Sequence, residues 1–146
     1  MAVSSLSFAA QVDEWTRKTE QRMTAVFRGS TQEVFRRAQG RTPVDTGFAR
    51  ASIRASKESM PPIDKGAKGI KGVPYFSTGG EVIATIASAE LGETIYLGWT
   101  ASYAGVLETG HSKQAPAGFV GITAMEWPQI VTAEIEKAKA SVASRQ

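Results

Sequence analysis

The order of elements read along this 146-residue chain predicts an α+β fold: a long N-terminal helix, three strands, one long loop and a C-terminal helix. Three observations carry that class. An apolar stripe at helical spacing runs from Phe8 to Val34. Two-residue alternation marks the segments 49–55, 81–88 and 93–100. A second helical stripe, Val131, Ile135, Ala138 and Val142, lies near the end of the chain. The length fits a single domain, 1–146, able to bury roughly 68–70% of its unfolded surface. An apolar share of 42% and a charged share of 21% are close to globular averages and argue against general disorder.

The first element begins among Ser4, Ser5 and Ser7, whose hydroxyls suit an N-cap. Its stripe is Phe8, Val12, Trp15, Thr19, Met23, Val26, Ser30 and Val34, widened by Phe27, Phe35 and Ala38. Arg17, Arg28, Arg36 and Arg37 occupy the opposite face. Gly29 weakens the middle by ~1 kcal/mol relative to Ala and allows a bend. Gly40 offers a C-terminal stop, and Pro43 prevents continuation.

Thr42 to Gly47 reads as a turn, in which Pro43 presets φ, the Asp45 carboxylate can accept from the Gly47 N–H, and Gly47 permits positive φ. Beyond it Ala49, Ala51, Ile53 and Ala55 alternate with Arg50, Ser52 and Arg54, which predicts a half-buried strand with a basic outer face, although its alanines suit a strand poorly. The segment 57–80, with Met60-Pro61-Pro62 and the run Lys65 to Gly72, is punctuated too densely by Gly and Pro to be anything but a loop. Glu81–Ser88 and Glu93–Thr100 are then expected as strands joined by a hairpin loop at 89–92. Tyr103 to Glu108 predicts a short helical turn closed by Gly110, and 111–118, with Pro116, a loop. Pro128 marks either the first turn of the last helix or a kink in a longer one starting near Phe119.

Several kinds of chemistry are excluded by what is missing. With no cysteine there is no disulfide, thiolate nucleophile or Cys-ligated zinc. No segment reaches the ~20 apolar residues that span a bilayer. Met1 to Ala10 has no basic stretch before its weakly apolar one, so it does not read as a signal peptide, and folding in the cytoplasm is the expectation. Glu108 and His111 have the E-x-x-H spacing of some metal sites, but Gly110 between them breaks the shared helix face, and His111 is the single histidine. The serines, Asp45 and His111 are not accompanied by a G-x-S-x-G elbow. Glu90 and Glu93 read as a solvated loop rather than an acid–base pair. Lys65 to Gly72 lacks the G-x-x-x-x-G-K-[ST] pattern of a phosphate loop. The expectation is a chain without catalysis, cofactor or metal.

Charge is unevenly placed. The total is +3, yet residues 1–57 carry ten Lys/Arg against five Asp/Glu, and residues 81–113 one Lys against four Glu. Such a split suits contact between oppositely charged faces of neighbouring molecules.

Two patterns remain. The first is Thr42-Pro43-Val44-Asp45-Thr46-Gly47-Phe48-Ala49-Arg50-Ala51-Ser52-Ile53; the second is Tyr103-Ala104-Gly105-Val106-Leu107-Glu108-Thr109-Gly110, followed by Ala115-Pro116-Ala117-Gly118-Phe119-Val120. In this order, between a long N-terminal and a C-terminal helix, they resemble the neck, or tail-completion, family of long-tailed bacteriophages and related tail-like particles such as gene transfer agents. The resemblance covers about residues 5–143 and rests on Thr42, Pro43, Val44, Asp45, Thr46, Gly47, Arg50 and Ser52, then Tyr103, Ala104, Glu108, Gly110, Pro116, Phe119 and Ala124. Ala49 stands where the family usually has Leu, and Gly121-Ile122-Thr123 where it often has Pro.

The resemblance implies helices packed on a small, mostly antiparallel sheet. It also implies a structural virion protein forming a sixfold homo-oligomeric ring at the head–tail junction. Such a ring contacts a head-closure or connector protein on one side and a tail terminator or tail tube on the other, and DNA passes through without sequence-specific binding. The 57–80 loop is then a candidate subunit interface through Ile63, Ile70, Tyr75 and Phe76. The competing expectations are a tail-terminator role, or a nucleic-acid-binding module using Arg17, Arg28, Arg36, Arg37, Arg50 and Arg54.

Overall fold

The computed structural model describes residues 7–44, 47–66, 69–77, 79–109, 113 and 118–144. Asp45, Thr46, Gly110, His111 and Pro116 lie outside the described residues, so the expectations placed on them have no structural account.

Helix α1, Phe8–Arg41, opens on Ser7, whose Oγ accepts from the Ala10 N–H at 3.2 Å. It runs unbroken past Gly29. Gly29 serves a close approach: a Cβ built there would stand 2.5 Å from Glu134 Oε2 of the C-terminal helix. Gly40 lies inside α1, and the cap is Thr42, extended at φ −62° and ψ 126° as the residue before a proline prefers.

The expected strand over 49–55 divides into helix α2, Phe48–Ala51, and strand β1, Ile53–Ser56. Ser52 makes the change of direction, its Oγ donating to Ala49 O at 2.7 Å and accepting from Ala101 N at 3.2 Å. Of the alanines that suited a strand poorly, Ala49 and Ala51 are helical and Ala55 stays in β1.

The segment 81–88 is not a strand. It is helix α3, Gly80–Ser88. Its residues are apolar on both phases of a two-residue alternation, so that spacing could not separate strand from helix. Val82, Ile86 and Ala89, at i, i+4 and i+7, are buried, whereas Ile83 is exposed. Strand β2, Tyr96–Trp99, is shorter than expected and pairs antiparallel with β1, Ile53 facing Trp99 and Ser56 facing Tyr96. Residues 89–92 therefore join a helix to a strand rather than closing a hairpin.

After β2 come helix α4, Ala104–Glu108, helix α5, Val120–Met125, and helix α6, Trp127–Ala143, with Pro128 in its first turn. The result is a mostly helical α+β chain with one small antiparallel sheet. Its core is Phe35 of α1, Ile53 of β1, and Val82 and Ile86 of α3, with Ala55, Ile95, Leu97 and Trp99 packed on it. Helix α6 lies along α1, so the C-terminal helix meets the N-terminal helix rather than the sheet.

The loop between β1 and α3 is tied to the sheet by its backbone. Asp64 N donates to Thr100 O at 2.9 Å, bridging the loop to the end of β2. Among the described residues no helix is long and apolar enough to cross a membrane.

Candidate functional site

The two sequence patterns meet. Thr42 is fully buried; its Oγ1 donates to Ala38 O at 2.8 Å and accepts from the indole Nε1 of Trp99 at 3.0 Å. Arg50 reaches back over the end of α1, Nη2 donating to Gly40 O at 2.9 Å and Thr42 O at 3.1 Å. It thus supplies donors and positive charge where the helix leaves carbonyls unpaired. Phe48 packs edge-on against Tyr75 at 5.0 Å and stacks near Tyr103 at 6.4 Å, linking the first pattern to the loop and to the second. Gly47, at φ 88°, lies against the Tyr75 carbonyl, where an added Cβ would collide with backbone.

In the second pattern, Glu108 at the end of α4 turns to the start of α5. Its Oε2 accepts from the N–H groups of Phe119 and Val120, both at 2.7 Å, and its Oε1 from Gly121 N–H at 2.9 Å. Those are orphan donors of a helix N-terminus, and a carboxylate satisfies them and the helix dipole together. Burial pushes the Glu108 carboxyl up, but the three backbone donors outweigh it and hold it below its ordinary value. Gly118, at φ 86°, passes so close to Glu108 that a Cβ would sit 2.7 Å from its carbonyl oxygen. Phe119 is buried with its ring 5.2 Å from Trp99, edge to face. From the sequence Glu108 reads as a structural residue beside a turn and as part of the second pattern, but its partners at the start of α5 are not readable from spacing.

A third cluster fastens the elbow between α5 and α6 to α1. Glu126, the residue between those helices, takes ion pairs from Arg37 Nη1 at 2.7 Å and from Arg41. Arg41, more than Arg37, holds the Glu126 carboxyl below its ordinary range. One turn away, Arg36 and Arg37 both donate to Glu33. The Arg36 bond leads in lowering the Glu33 pKa from 4.5 to about 2, against the opposing effect of burial.

These contacts account for much of the basic surface. Arg28 donates to Ala89 O at 2.8 Å and faces Glu90 at 3.7 Å, while Lys57 faces Glu93 at 3.7 Å. The basic first third and the acidic region around residue 90 therefore meet within one molecule. Arg54 Nη1 donates to Ala51 O and Ile53 O. Among the described residues no three His, Cys, Asp or Glu side chains cluster as a metal would need.

Among the described residues, exposed apolar side chains include a group in the loop and a group on α1. In the 57–80 loop, Ile63, Ile70 and Phe76 are exposed, Phe76 at 88%. Tyr75, named with them, instead packs on Phe48 and accepts from the Ile70 N–H through its hydroxyl at 3.1 Å. The second group lies on the apolar stripe of α1 read from the sequence. In the N-terminal half of α1, Phe8 is 82% exposed and Trp15 66%, with Val12 and Met23 also outside. Below them a groove of about 670 Å³ opens between α1 and α6, lined by Met23, Val26, Trp127, Val131, Ile135 and Val142 among others.

No protein-family model matches the chain, and no curated protein or solved structure is significantly similar to it.

Proposed function

We propose that this chain is a structural assembly protein: a ring-forming neck component that joins head to tail in a tailed phage or related tail-like particle and lets DNA pass. The observation that supports it best is the use made of the two family-like patterns. Thr42, Arg50 and Ser52 of the first, with Tyr103, Glu108 and Phe119 of the second, bind backbone and one another. They build a scaffold, and the surface outside that scaffold carries apolar side chains suited to contact with other chains.

The nucleic-acid-binding reading is weaker. Arg28, Arg36, Arg37, Arg50 and Arg54 all donate to carboxylates or carbonyls of their own chain. The deciding experiment is electron microscopy of the native particle with this chain labelled. The expected result is a sixfold ring at the head–tail junction. A particle that lacks the chain overturns the reading, and so does label at the tail terminus away from the junction.

A further inference from the structure

We propose that the groove between α1 and α6 receives the N-terminal half of α1 from a second copy of this chain. The proposal deepens the ring reading by naming a contact, and it rests on that reading in requiring copies to associate.

The arm has the form of a groove-binding helix. Phe8, Val12 and Trp15 stand at i, i+4 and i+7, the spacing by which an amphipathic helix lays one face into an apolar cleft. All three are exposed. The groove is apolar along both walls, and the Oγ of Ser30, on its floor, is buried without a hydrogen-bond partner.

Dimensions agree. The stripe from Phe8 to Trp15 rises over seven residues, and so does the α1 wall of the groove from Met23 to Ser30. At 1.5 Å per residue each is about 10 Å long. Charge agrees as well. Arg22 and Lys139 stand at the groove's edge, and Asp13 and Glu20, two turns apart, lie on one side of the stripe, while on its other side Glu14 and Lys18 pair with each other at 3.3 Å.

The arm cannot enter its own groove. Both belong to one continuous helix, and α1 runs without a break from Phe8 to Arg41. The occupant therefore comes from another molecule. Because arm and groove are different surfaces, the contact is head-to-tail; it propagates from copy to copy and closes into a ring where the rotation permits.

The test compares full-length wild type with Trp15→Glu, which spoils the arm, and Ile135→Glu, which spoils the groove, by sedimentation velocity. Both sites are exposed, at 66% and 37%, and thermal melts by circular dichroism check that each variant folds. Phe8→Glu replaces Trp15→Glu if that variant does not fold, and Val142→Glu replaces Ile135→Glu. Wild type should associate, and each variant alone should run as a monomer. An equimolar mixture of the two should double in mass and stop there, since one chain brings an intact arm and the other an intact groove. The chain has no cysteine, so Val12→Cys mixed with Ile135→Cys should form one disulfide between different chains. Variants that associate like wild type overturn the arm contact while leaving the ring reading standing. A wild type that stays monomeric at its highest soluble concentration, or a mixture that stays monomeric, overturns the proposal, and the particle microscopy then decides the ring separately.

Discussion

Gly29 and Gly47 are both pressed against another part of the chain, yet alanine should act on them in opposite directions. At Gly29 the obstacle is the carboxylate end of Glu134, which can swing outward at the loss of an exposed pairing with Lys137 worth little. Gly29→Ala should therefore gain up to ~1 kcal/mol of helix propensity, read as a raised melting midpoint. At Gly47 the obstacle is the Tyr75 backbone carbonyl, and φ is 88°. Gly47→Ala should cost about 1–3 kcal/mol in chemical denaturation. Glu108 gives a third prediction at this scale. Glu108→Ala removes the acceptor for three N–H groups at the start of α5 and should cost about 2 kcal/mol by the same measurement. Glu108→Gln, which keeps one carbonyl acceptor, should cost less.

Among the elements, the α1–α5–α6 corner is held by carboxylates whose pKa values are lowered on folding. For such groups the folded pKa lies below the unfolded one. Their stabilisation is complete above the ordinary carboxylate value and disappears as pH falls through the folded value. For Glu33 that window runs from 4.5 down to about 2, and Glu126 and Glu108 shift in the same direction. Urea midpoints should thus hold steady from neutrality to the top of that window and decline through it. Glu126→Gln should flatten part of the decline.

How far the sequence revealed these elements depended on what surrounds each one. The C-terminal helix was legible because α6 is charged on one face and apolar on the other. Helix α3 was not, because Val82, Ile83, Ala84 and Ile86 suit a buried strand equally well, and only contact with Phe35 and Ile53 selects the helix. The stripe on α1 was legible as a helix, but its pattern looks the same whether the cover comes from its own chain or from another. The scaffold roles of Arg50 and Glu108 depend on helix ends brought together by the fold, which spacing along the chain does not contain.

For the molecule as a whole, the internal engagement of its arginines predicts little nucleic-acid affinity. Six arginines each neutralising a phosphate would give a log–log salt slope of about −5. With five of them engaged internally, duplex binding should be weak and its slope much shallower, which titration at several salt concentrations would show. The uncovered stretch of α1 has a further consequence, in time rather than in space. From Phe8 to Arg17 only Ala10 and Glu14 are even partly shielded, so this stretch of helix stands without tertiary support. A helix end without packing gains little beyond intrinsic propensity and frays. Its amides should exchange with deuterium far faster than those near Phe35 and Ala38. If the arm enters a neighbour's groove as proposed, these amides should slow as protein concentration rises, and α1 would complete its folding in the act of meeting that neighbour.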